Sequence, residues 1–242
     1  MKWRLPILGL MALSLMTIDL TAQRKMTAEQ ILDRMTQVSQ SKQAIAKIRT
    51  IRLRGTVSYP TMNMQGTLEI HFKKPSLVAV KINIQGIGEI TQGYDGKVGW
   101  EKSPLTGLRE LKGAELLQMR MNSDPTANYD WRRLLRNPRT AGTAKVENRN
   151  AHVIQARDIT GGETKFYIDT QNFRLLRIDT VVATQQGSLP ATMYFSDYRQ
   201  IDGILYPFTT RQVAAGIEAV VRLTEVKHNV PVNDSIFRKP KQ

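Results

Sequence analysis

No cysteine occurs anywhere in the 242 residues. That excludes a disulfide framework, a thiol nucleophile and any cysteine-held zinc or iron–sulfur centre. Histidine is nearly as scarce: His71, His152 and His228 stand far apart, with no pair at metal-ligand spacing. There is no G-x-S-x-G elbow and no H-E-x-x-H pair. Gly86, Gly88 and Gly93 are not followed by the Lys-Ser/Thr of a phosphate loop and read as turn or bulge positions. Asp95, Asp169 and Asp202 stand beside turn residues and read as turn-formers. Spacing alone leaves Glu101, Glu110 and Glu115 open between paired carboxylates and solvated charge. Aromatic residues make up 7% and do not interleave with basic ones as in RNA-binding chains. Nothing here is a positive sign of catalysis, and an enzyme with an inconspicuous site is the weakest of the readings that remain.

Long apolar runs are also missing, with one exception. After Lys2 and Arg4 comes Ile7 to Met16, then a polar stretch with Asp19 that ends at Ala22. The run is shorter than the roughly 20 residues a membrane span needs. A basic start, an apolar core and a small residue at the end predict a cleaved secretory signal over residues 1–22, with a periplasmic mature chain beginning at 23. Without a cysteine after the core, the chain is not itself a diacylated lipoprotein. The formal charge is +14, from 35 basic and 21 acidic residues, and cleavage after Ala22 leaves +13. Such a balance favours acidic partners. Export makes nucleic acid a poor one.

With 41% hydrophobic and 23% charged residues the chain has enough apolar mass for a substantial core. Thr27 to Ile48 reads as a helix, opened by Thr27 and Gln30 at capping-box spacing and striped by Ile31, Leu32, Met35 and Val38. Strands follow over Ile51–Tyr59, Met64–Phe72 and Leu77–Ile84, the second with period-two alternation over nine residues. Asp95-Gly96 suits a type I′ hairpin, and Asp202-Gly203 and Gly161-Gly162 mark further turns. Gly113 to Asn122 and Ala127 to Arg136 read as helices, the latter ended by Asn137-Pro138. Later strands are expected over Lys145–Arg149, His152–Arg157, Thr164–Asp169, Leu175–Val182, Ala191–Tyr198, Ile204–Phe208 and Ile217–Val226. No linker interrupts residues 23–242, which read as one domain. Many antiparallel strands with few helices predict a large curved sheet or open barrel, covered on one face by helices.

Such a covered face can enclose a ligand cavity. Candidates for its lining are Met64, Leu68, Ile70 and Phe72 on one strand and Val78, Val80, Ile82 and Ile84 on the next. Met119, Trp131 and Leu134 add candidates from the helices, although ordinary core packing also accounts for each. Arg52 and Arg54 on one strand, and Arg132, Arg133 and Arg136 on one helix, are candidates for an anionic surface such as lipid headgroups; solvated surface charge is the plainer account.

Several segments resemble a known family. ILDRMTQVSQSKQAIAKIRTIRLRGTV resembles the opening helix and first strand of LolA-like proteins, the outer-membrane lipoprotein-sorting superfamily. GYDGKVGWEKSPLTGLRELKGAELLQM resembles a motif of its broad envelope branch, and SDYRQIDGILYPFTTR and VNDSIFRKP resemble its closing hairpin and tail. The resemblance spans nearly the whole chain after residue 22. It implies an α+β, mainly β fold: an open half-barrel of antiparallel strands with helices over the concave face. It also implies non-covalent carriage of lipid or lipoprotein acyl chains, with no cofactor, no metal and no covalent chemistry. The family's lipoprotein chaperone holds its lid with an arginine; no residue here is carried over to that role.

Two readings follow. In the first, the chain is a periplasmic carrier, monomeric, that holds acyl chains between sheet and helices and meets envelope transport proteins. In the second, it is an interaction module with a filled core that docks on an anionic membrane surface or a protein partner through its basic face.

Overall fold

The computed structural model describes residues 25–124, 130–184 and 187–241. The predicted secretory signal lies outside these residues, as does Ala127.

Thr27 opens α1 (Ala28–Ser39) with the expected reciprocal cap: its N–H donates to Gln30 Oε1 at 2.9 Å, and Gln30 N–H donates to Thr27 Oγ1 at 3.3 Å. The continuous helix expected to Ile48 is instead two. Gln40 leaves the helix to bridge Ile204, and Ser41 restarts α2 (Lys42–Lys47) by accepting Ala44 N–H. The polar stretch Ser39–Gln43 marks that break.

Six strands follow: β1 (Thr50–Tyr59), β2 (Met64–Lys73), β3 (Leu77–Ile84), β4 (Gly88–Tyr94), β5 (Gly99–Ser103) and β6 (Gly107–Glu110). The β4–β5 connection is a correction to the type I′ hairpin. Asp95 lacks the positive φ that turn requires, and its carboxylate accepts Lys97 and Val98 N–H across a four-residue loop. Helices α3 (Gly113–Ser123) and α4 (Trp131–Leu134) come next. The helix expected to Arg136 stops at Leu134. Leu135 and Arg136 already belong to β7 (Leu135–Val146), and Asn137-Pro138 forms an irregularity within that edge strand, with Asn137 at φ 51°.

The chain then runs β8 (Arg149–Asp158), β9 (Glu163–Asp169), β10 (Leu175–Thr184), β11 (Gly187–Ile201), β12 (Ile204–Ala214) and β13 (Ile217–His228). The strand expected over Lys145–Arg149 straddles the β7–β8 turn. The β11–β12 turn is the two-residue hairpin read from the sequence, with Asp202 and Gly203 both at positive φ.

The thirteen strands among the described residues form one antiparallel sheet, ordered β6-β5-β4-β3-β2-β1-β13-β12-β11-β10-β9-β8-β7. The first and last strands pair at its centre, Ile51 opposite His228, and the sheet stays open with β6 and β7 as edges. Close backbone approach at the centre requires small residues: a Cβ on Gly55 or Gly66 would sit 2.2 Å from the carbonyl oxygen of Arg222 or Asn83.

The helices cover one face. Ile31, Leu32 and Met35 of α1 pack with Trp131, Leu135, Ile154 and Ile168. Ala44 and Ile45 of α2 pack with Ile51, Ile204, Tyr206 and Phe208. The carboxy-terminal turn Asp234–Phe237 closes the opposite face. There Trp100 Nε1 donates to the Phe237 carbonyl at 2.9 Å, and both side chains are buried. Among the described residues no helix is long and apolar enough to cross a membrane.

Candidate functional site: two clefts under a bridging helix

Helix α3 is weakly amphipathic, and its docking depends on polar contacts. Arg109 on β6 forks onto Glu115 with 2.9 and 3.0 Å hydrogen bonds, while its Nε meets Glu101 of β5 at 3.0 Å. Glu115, followed by Glu101, holds the Arg109 pKa above its usual value, against the pull of burial. From the other end of the sheet, Ala183 N–H of β10 donates to Gln118 Oε1 at 2.8 Å. Leu116 lies directly over Gly99. The helix thus spans the concave face from β4–β6 to β10, and a cleft lies on each side of it.

The smaller cleft, about 360 Å³, lies against β2–β6. Its floor is one cross-strand row: Ile70 opposite Val80, Val80 opposite Gln92, Gln92 opposite Glu101, Glu101 opposite Arg109. Phe72 and Val78 form the next row, and Met119, Gln118 and Asn122 face them from α3. The larger cleft, about 880 Å³, lies against β9–β12. Phe166, Ile178, Met193 and Gln212 form its cross-strand row, with Leu117, Met121 and Leu134 above. Leu117 and Val181 at this cleft stay 38% and 40% exposed, large apolar groups facing open space. Both volumes fall within the ordinary range for ligand sites.

Of the residues expected to line a cavity, Ile70, Phe72, Val78, Val80 and Met119 meet at the smaller cleft and Leu134 lines the larger. Leu68 and Ile84 are buried. Met64 and Ile82 are half-buried and line neither cleft. Trp131 is buried against α1, donating its indole N–H to Asp33 at 2.9 Å.

The arginines expected on an anionic surface are mostly neutralised. Arg52 pairs with Glu225 at 2.9 Å and Arg54 with Glu69 at 3.1 Å. Arg132 pairs with Asp33 at 2.6 Å and Arg133 with Asp124 at 2.9 Å. Arg136 donates to the carbonyls of Arg132 and Leu135. On the face opposite the helices a further hollow of about 540 Å³ is lined by Arg149, Arg174, Arg211, Glu147, Tyr194 and Tyr198, among others, and is polar. Arg211 stacks 3.9 Å over the Tyr194 ring there.

Sequence reasoning missed Arg109, Gln92 and Gln118, and with them the larger cleft's strand row. The Glu101–Arg109 pairing was the accessible signal, because Lys102–Arg109 contains the short hairpin turn Pro104–Thr106 that sets those two residues face to face.

No protein-family model matches the sequence, and no curated protein matches it either. Solved structures do match. A LolA superfamily protein from Nitrosomonas europaea is similar with a TM-score of 0.56 at 16% identity, covering 89% of this chain and 99% of that one. A DUF1329 family protein from Desulfovibrio piger gives 0.56 at 12% identity, over 87% and 97%. A predicted outer membrane lipoprotein-sorting domain from Vibrio parahaemolyticus gives 0.54 at 11% identity, over 88% and 97%. The open antiparallel sheet with its helices on one face is therefore the LolA-like fold.

Proposed function

We propose that the protein is an exported carrier of the bacterial envelope that holds lipid or lipoprotein acyl chains non-covalently between its sheet and α3. The observation that carries this reading is the pair of clefts, about 360 and 880 Å³, under one shared helix, with apolar wall from Ile70, Phe72, Val78 and Val80 in the smaller and from Phe166, Ile178 and Met193 in the larger. Each methylene moved from water into such a cleft contributes about 0.8 kcal/mol. No reacting group is needed, and the site residues proposed are Ile70, Phe72, Val78, Val80, Met119 and Leu134. The amino-terminal pattern of residues 1–22 and the likeness to LolA-like structures support placement in the periplasm. The alternative, docking on an anionic surface through Arg52, Arg54, Arg132 and Arg133, is weakened by the carboxylate that each of these residues already holds.

The test is to purify residues 23–242 from a bacterial periplasm without detergent, extract with organic solvent and identify the extract by mass spectrometry, with titration of a fluorescent acyl probe alongside. Stoichiometric lipid absent from a control protein, or saturable probe binding, is the expected result. An empty extract together with a probe that does not bind sinks the carrier reading.

A further inference from the structure

The chain carries +14, yet its basic charge avoids the clefts. Among the described residues lining the two clefts, one is a cation, Arg109, and three are carboxylates, Glu101, Glu115 and Asp158. Asp158 is occupied by its own turn, accepting Thr160 and Gly162 N–H. The remaining excess is concentrated in the smaller cleft, where Glu101 and Glu115 share the single guanidinium of Arg109 and leave one negative charge. All three side chains are between 15% and 22% exposed, so solvent screens them incompletely. Glu101 Oε1 already accepts Arg109 and Thr106, whereas Glu101 Oε2 accepts Gln92 and each Glu115 oxygen accepts one Arg109 N–H, so these three oxygens have room for a further donor. The same cross-strand row that ends in Glu101 and Arg109 begins with Ile70 and Val80. At the usual spacing between strands, Ile70 and Glu101 are about 15 Å apart. A molecule lying along this row meets apolar wall at one end and net negative charge at the other.

We propose that the smaller cleft seats the polar end of the cargo and selects an amphiphile whose head bears a hydrogen-bond-donating ammonium, such as an ethanolamine-type lipid, with Glu101 and Glu115 as its partners. The inference rests on the carrier reading above. An anionic head placed there would face two carboxylates and only a guanidinium that both already use. A quaternary ammonium would satisfy the charge but offer no N–H.

The experiment compares three ligands with the same fluorescent acyl chain, delivered from cyclodextrin: a phosphatidylethanolamine, a phosphatidylglycerol and a diacylglycerol. The ethanolamine lipid should bind about tenfold more tightly than the glycerol lipid at low salt, the size of one partly desolvated charge contact. In the double variant Glu101→Gln/Glu115→Gln, Arg109 loses both carboxylates and the preference should reverse toward the anionic lipid. A role confined to packing would weaken both lipids alike and leave their ratio unchanged. Free ethanolamine at equal concentration should displace none of the labelled lipid; displacement would show that the site reads a soluble amine and overturn the assignment to a lipid. Binding of diacylglycerol together with equal affinities for the two phospholipids overturns the head-group inference alone. If none of the three ligands binds, the carrier reading falls and this inference with it.

Discussion

Asp33 joins α1 to α4 through one carboxylate. Its Oδ1 accepts Trp131 Nε1 at 2.9 Å, and Arg132 forks onto both oxygens at 2.6 and 3.0 Å. The Arg132 hydrogen bond, partly opposed by burial and reinforced by Trp131, holds Asp33 below the usual carboxylate range. An unfolded aspartate titrates near about 3.9. The stabilisation is therefore fully present above about pH 4 and is lost as pH falls through the lower folded value. Because the pair is largely exposed, the expected effect is local rather than global. Acid titration followed by tryptophan fluorescence should show a transition below about pH 4 that Asp33→Asn lacks; superimposable curves would refute the coupling. A second residue-scale prediction concerns Gly66. An alanine there drives its Cβ against the Asn83 carbonyl, so Gly66→Ala should lose about 1–3 kcal/mol in denaturant unfolding. An unchanged midpoint would show that the central strands can separate locally at no cost.

Among the elements, those governed by local rules were legible in the sequence. The alternation of β2, the cap of α1 and the Asp202-Gly203 hairpin each depend on residues within a few positions of one another. Apart from the Asp95 loop, where the carboxylate accepts two N–H groups of its own turn, the errors arose where distant strands decide. Gln40 leaves the helix for a bridge to Ile204, Leu135 extends to pair with Asp158, and Asn137-Pro138 is tolerated because β7 is an edge. The candidate site divided in the same way. Apolar alternation located Ile70, Phe72, Val78 and Val80, but it could not tell cleft floor from the rest of the same strand faces: Leu68 is buried core and Ile82 is half-buried outside both clefts. Arg109 was legible as the hairpin partner of Glu101, but its hold on α3 depends on Glu115, which only the folded helix brings to it. This separation is testable. Ile70→Asp puts a charge on the floor of the smaller cleft and should weaken acyl-probe binding at least about tenfold with the fold retained by circular dichroism. Ile82→Asp, on a half-buried side chain outside both clefts, should change stability more than binding. Equal binding losses in the two variants would mean that the cleft is drawn wrongly.

For the molecule as a whole, charge and apolar surface are sorted to different places. The larger cleft has Asp158 as its single charged lining residue among those described, while arginines with tyrosine or tryptophan partners crowd other surfaces. Affinity for an uncharged diacylglycerol should therefore change less than about twofold when salt is raised from low to about 1 M, conditions that shorten screening to about 3 Å. A steep loss of affinity with salt would mean that polar rather than apolar contact holds the ligand, and would overturn its assignment to this cleft. The position of β1 has a consequence for synthesis. The ribosome makes β1 first among the strands and β13 last, and they are neighbours at the middle of the sheet. Two meanders, β1–β6 and β7–β12, can form from local contacts as the chain emerges. Until Ile217–His228 arrives, each half has an unsatisfied edge beside β1 or β12 and an apolar face without its neighbour. The last strand to be made is thus the one that joins the halves, and a nascent chain stalled short of it is the form most prone to pair with a stranger.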